Sequence, residues 1–122
     1  MTISRRPDPT SLTAIDVHVH LEAPRTGGAA EAAAEKYFGR TDAPHGAEAL
    51  VEYYRSRKMA CVVFGVDERL TGRAQVSNDT VAQLGADHPD VVIAFASIDP
   101  TRGPEAVREA RRLLRDGRIR GL

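Results

Sequence analysis

The sequence predicts an α/β fold assembled from parallel βα units, and three observations carry that expectation. Apolar, β-branched runs at 14–20, 59–66 and 91–98 are separated by segments with helical periodicity. The second and third runs are nearly continuous in apolar residues, as in strands covered on both faces. Strand starts near 14, 59, 91 and 118 define units of roughly thirty residues, apart from an enlarged first one.

Residues 1–13 are polar, punctuated by Pro7 and Pro9, and read as a flexible N-terminal leader to one domain over 14–122. The first strand is Ala14-Ile15-Asp16-Val17-His18-Val19-His20. Alternation sends Ile15, Val17 and Val19 one way and Asp16, His18 and His20 the other. Leu21 to Ala43 follows, irregular at Pro24, Gly27 and Gly28, with a short helix favoured over the Ala-rich 29–36 and closed by Gly39. A second helix is expected from Pro44 to about Lys58, because Ala47, Leu50, Val51 and Tyr54 share one face. Met59 to Val66 is the next strand. Asn78 is positioned to cap a helix that carries Val81 and Leu84 and stops at His88-Pro89.

Val91 to Ile98 is the third strand, ending in Asp99-Pro100. The last helix opens with Gly103-Pro104-Glu105 and turns Ala106, Val107, Ala110, Leu113 and Leu114 inward, with Gly117 as its C-cap. The closing Arg118-Ile119-Arg120-Gly121-Leu122 reads as the opening of a further strand. A (β/α)8 barrel of about 250 residues has the same period, and this chain supplies about three and a half of its units. The alternatives are a small open parallel sheet and the N-terminal portion of a TIM barrel, and the ending inside an apolar start favours the second.

Composition narrows the functional classes. The chain has 122 residues, 42% hydrophobic and 28% charged, the balance of a folded domain. Seventeen basic residues offset seventeen acidic ones, which gives no general attraction to nucleic acid or anionic lipid. Arg108, Arg111, Arg112 and Arg115 form a stripe on the last helix, but Glu105, Glu109 and Asp116 interleave with them. That pattern describes a water-facing side, so no nucleic-acid partner is expected. No apolar stretch approaches the length of a membrane span, and no signal-peptide core follows Met1. A single cysteine, Cys61, excludes an internal disulfide and fits a cytoplasmic location.

The chemistry concentrates at His18 and His20. Two imidazoles at i and i+2 on one strand face suit a divalent cation, and neutral imidazole is the commonest metal ligand. Asp16 is a candidate to orient an imidazole, or else the partner of a basic residue deeper in the sheet. Asp67 and Asp99 follow the second and third strands, and a local turn is the favoured role for Asp99. Lys36, Tyr37, Phe38 and Arg40 lie in the long first loop, where a barrel would build specificity, although an Ala-rich lid with these residues solvated is the simpler reading. Cys61 reads as core packing. His45 and His88 lack ligand spacing, and His88 suits a helix C-terminus.

Asp16-Val17-His18-Val19-His20, Ala94-Phe95-Ala96-Ser97-Ile98-Asp99-Pro100, Ala106-Val107-Arg108-Glu109 and Gly117-Arg118-Ile119-Arg120-Gly121-Leu122 together resemble the amidohydrolase superfamily. More narrowly, they resemble the amidohydrolase-related branch that includes aminocarboxymuconate-semialdehyde decarboxylase. The resemblance implies a metal-dependent TIM-barrel enzyme with one divalent ion, most often Zn2+, held in part by His18 and His20. It implies hydrolysis of a small aromatic or unsaturated acid, or an acyl derivative, by metal-activated water. The alternative within the branch is a decarboxylase, a lyase reaction. The later ligands and the catalytic residues would lie beyond Leu122, so the isolated chain is expected to be inactive. A reading from another class is a non-catalytic fragment or binding module that needs a partner to complete the sheet, and a homo-oligomer is compatible with either.

Overall fold

The computed structural model describes residues 6–21, 46–66 and 76–122. Within them the chain runs β1 (Ala14–His20), α1 (Ala47–Ser56), β2 (Met59–Phe64), α2 (Asn78–Asp87), β3 (Val92–Ala94), a 3-10 turn (Pro100–Arg102) and α3 (Pro104–Asp116). The three strands form one parallel sheet in the order β1-β2-β3. The fold is therefore α/β, as the alternation of strand and helix patterns requires. The expected 29–36 helix, Lys36, Tyr37, Phe38, Arg40, His45 and Asp67 lie outside the described residues.

Local chemistry explains the ends of each element. Before β1 the chain makes a turn at Asp8, whose Oδ1 accepts from the Thr10 amide at 2.9 Å. Thr13 then docks on the α1–β2 turn through its amide, 2.8 Å from the Lys58 carbonyl oxygen. α1 buries Leu50, Val51 and Tyr54, the stripe its spacing predicts. α2 is capped by Ser77, whose hydroxyl accepts from the Thr80 amide at 3.1 Å. Asn78, the residue expected to cap, instead spans to the chain after β3. Its Nδ2 donates to the Ser97 carbonyl and its Oδ1 accepts from the Ser97 amide, both at 2.9 Å. α3 starts with proline in its first turn and ends at Gly117, whose φ of 80° is the left-handed conformation a C-cap requires.

The core lies between the helices and one face of the sheet. Cys61 and Val63 of β2 pack there with Val51, Val81, Leu84 and Leu113. β2 is central and its Ala60, Cys61 and Val63 are fully buried, whereas among the described residues β1 is an edge, with Val17 71% exposed. Regular pairing of β3 ends at Ala94, shorter than the expected 91–98 run. There the chain gains a second neighbour without leaving β2: the Phe95 amide still donates to the Val63 carbonyl at 2.9 Å, while Phe95 bridges Gly121 in parallel and the Arg120 amide donates to the Ala94 carbonyl at 2.8 Å. The segment read as a strand opening thus sits beside β3. α3 buries Ala106 and Leu113, but Val107 and Leu114 of its expected inner face are exposed. Its apolar stripe is wider than the surface the described residues lay against it.

Candidate metal centre

β1 carries one irregularity that shapes the site. From Asp16 to Val19 it advances three residues while its partner advances two, from Cys61 to Val63. One extra residue is therefore bulged out near Val17 and His18. Directly paired residues share a face of the sheet, so Asp16 stands with Cys61 and Val19 with Val63, on the helical side. His20 stands with Phe64, on the opposite side. This corrects the simple alternation, which had put Asp16 on the imidazole face. The bulge reverses the parity of the strand between Asp16 and His18.

His18 and His20 remain together. Their Nε2 atoms are 3.0 Å apart, and the rings meet edge to face with centroids 4.8 Å apart. Phe64 closes the third side, its ring 5.1 Å from His18 and 4.7 Å from His20. Both histidines are exposed at the C-terminal end of the strand. At 3.0 Å, two nitrogen lone pairs repel unless something positive lies between them. Either one ring donates its Nε2–H to the other, or both turn lone pairs on one cation. Nitrogens bound to a common zinc, each about 2.0–2.1 Å from it, are at most about 4 Å apart, so this pair fits. Among the described residues no third histidine, cysteine or carboxylate joins it. A catalytic zinc takes three protein ligands, one more than this pair supplies.

Behind the pair, Asp16 makes two directed bonds. Its Oδ1 accepts from the His18 backbone amide at 3.1 Å, and its Oδ2 accepts from the Tyr54 hydroxyl at 2.7 Å. Burial, reinforced by that hydrogen bond, pushes the Tyr54 phenol well above its ordinary range, so it stays a donor. Burial, helped by the Asp16 carboxylate, likewise pushes the Cys61 thiol up to about 12. Cys61 is thus a packed, unreactive thiol, as its place in the strand suggested.

The other candidates separate from the site. Asp99 is buried, and its Oδ1 accepts from the Thr101 amide at 2.9 Å and the Thr101 hydroxyl at 2.6 Å, capping the 3-10 turn. His88 caps the C-terminus of α2 and lies 3.7 Å from Glu48. Arg108, Arg111, Arg112 and Arg115 are all exposed, and Arg112 pairs with Glu109 at 2.8 Å and Asp79 at 3.1 Å. Two contributors escaped the sequence reading. Phe64 was legible in the parallel register that sets it beside His20, and Tyr54 in the rule that a buried phenol needs a partner.

An open apolar groove of about 580 Å3 runs from Phe64 past Phe95 and Ile98 to Val107 and Leu122. It shares Phe64 with the imidazole pair. Among the described residues no helix is long and apolar enough to cross a membrane. Comparison of the chain with protein-family models, curated proteins and solved structures finds no match.

Proposed function

We propose that the chain is the N-terminal part of a metal-dependent TIM-barrel hydrolase of the amidohydrolase-related kind, with His18 and His20 as two of its metal ligands. The observation that carries this reading is the convergence of two Nε2 atoms, 3.0 Å apart, on the face away from the helices. A divalent ion held there, Zn2+ by preference, supplies Lewis-acid activation of water or of a substrate oxygen. The chain's own residues do the remaining work. Phe64 packs both imidazoles and limits their rotation. Asp16 and Tyr54 stand behind the strand. The apolar groove that begins at Phe64 suits the hydrocarbon part of a small aromatic or unsaturated acid or acyl compound. A cytoplasmic setting suits a buried, unpaired thiol.

Calorimetric titration of the 122-residue chain with Zn2+ tests the reading. Weak binding is expected, abolished by His18→Ala and by His20→Ala. Tight binding that survives the double replacement contradicts it.

The exposure of Val17 (71%), Ile15 (45%) and Leu122 (60%) favours a second reading, in which a partner completes the sheet. Sedimentation of the purified chain separates the two: a monomer that unfolds cooperatively contradicts the need for a partner.

A further inference from the structure

We propose that Asp16, held by Tyr54, is the positioning residue of the imidazole pair, locking the bulge of β1 that sets the direction of His18. The inference rests on the metal-site reading and adds what aims its ligands. A bulge takes a residue out of the regular ladder and leaves its backbone to find other partners. Here the carboxylate two residues earlier supplies one, through the 3.1 Å bond from the His18 amide to Oδ1. Its second oxygen is tied at 2.7 Å to the hydroxyl of Tyr54, on α1.

The Tyr54 ring is fixed in turn, buried in the core with Val51, Cys61 and Val63. A continuous chain of contacts therefore runs from the helical layer, through the sheet, to the backbone of a ligand-bearing residue. The imidazole itself projects from the other face, beside His20 and Phe64. The bulge also decides what Asp16 is. In an unbroken strand its carboxylate would stand on the imidazole face and compete for the cation. Turned to the helical side, it holds the ligand's backbone instead, and the pair is aimed by packed elements and not by a loop.

Two readouts on the whole chain test this: Co2+ affinity, followed by d–d absorption, and hydrogen exchange of the His18 amide, followed by NMR. Asp16→Ala is expected to weaken Co2+ binding about 10-fold, the lower end for groups that orient ligands, and to speed exchange of the His18 amide. Asp16→Asn keeps an acceptor for that amide and should restore both. Tyr54→Phe should move both in the direction of Asp16→Ala, by less, and decides the matter if Asp16→Ala fails to fold. His18→Ala should abolish binding. Co2+ binding that needs His18 but ignores Asp16 and Tyr54 overturns this inference and leaves the metal reading standing. An Asp16→Asn variant as impaired as Asp16→Ala also overturns it. Co2+ uptake indifferent to His18 overturns both.

Discussion

Replacing Gly85 with alanine sets helix propensity against packing, and the structure decides which wins. Gly85 lies inside α2, where glycine is about 0.8–1.0 kcal/mol less favourable than alanine. On propensity alone, Gly85→Ala stabilises. A methyl built at this position would stand 2.9 Å from the Ala94 Cβ and 3.6 Å from the Ala94 backbone nitrogen. Ala94 is 1% exposed and belongs to β3, so neither the methyl nor the strand has free space to yield into. Overpacking of that kind costs about 1–3 kcal/mol. The net expectation is a loss of about 0–2 kcal/mol, the difference of these two terms.

A double-mutant cycle isolates the contact. In an Ala94→Gly background the obstructing methyl is gone, and Gly85→Ala should then stabilise by about 1 kcal/mol. Urea denaturation followed by circular dichroism reads all four proteins. A Gly85→Ala protein that is more stable than the parent, with no coupling to Ala94, refutes the packing of α2 on β3 described above.

Other consequences follow from single groups. Leu113 is 1% exposed at the centre of the core, so Leu113→Ala should cost about 2–5 kcal/mol in the same assay. Ser77→Ala removes the hydroxyl that accepts from Thr80 and should cost about 1 kcal/mol, whereas Asn78→Ala should leave the α2 N-cap intact and free the chain near Ser97. Cys61 should resist thiol reagents in the native chain and react once urea unfolds it. Its thiol is raised from about 9 to about 12 in the folded state, so above pH 9 the unfolded chain releases this proton first. Stability should therefore fall as pH rises from about 9 to about 12, and a Cys61→Ala variant should lose that component of the fall.

Much of the fold was legible because strand and helix periods differ. The first strand was expected over 14–20 and is found there, and the α1 stripe of Leu50, Val51 and Tyr54 follows from its spacing. Ends were harder to read. Ser77 and Asn78 are both good capping residues, and only the tertiary contact with Ser97 decides between them. The 91–98 run is one apolar segment, yet its regular strand ends at Ala94, where Arg120 and Gly121 join its other edge, which no local pattern encodes. In the candidate site, the shared face of His18 and His20 was readable from their spacing alone. The position of Asp16 was not, because a bulge shifts parity without altering composition. Val107 and Leu114 fit the apolar face of α3 by period, but what a helix buries depends on what lies beside it.

The proposed metal site requires the His18 and His20 side chains to converge on a single cation through Nε2. Imidazole 15N NMR of the chain during Zn2+ addition addresses it directly. The Nε2 resonances of both residues should move together, over the same range of metal concentration, while those of His88 do not. Movement of only one of the two, or of Nδ1 in place of Nε2, would contradict it.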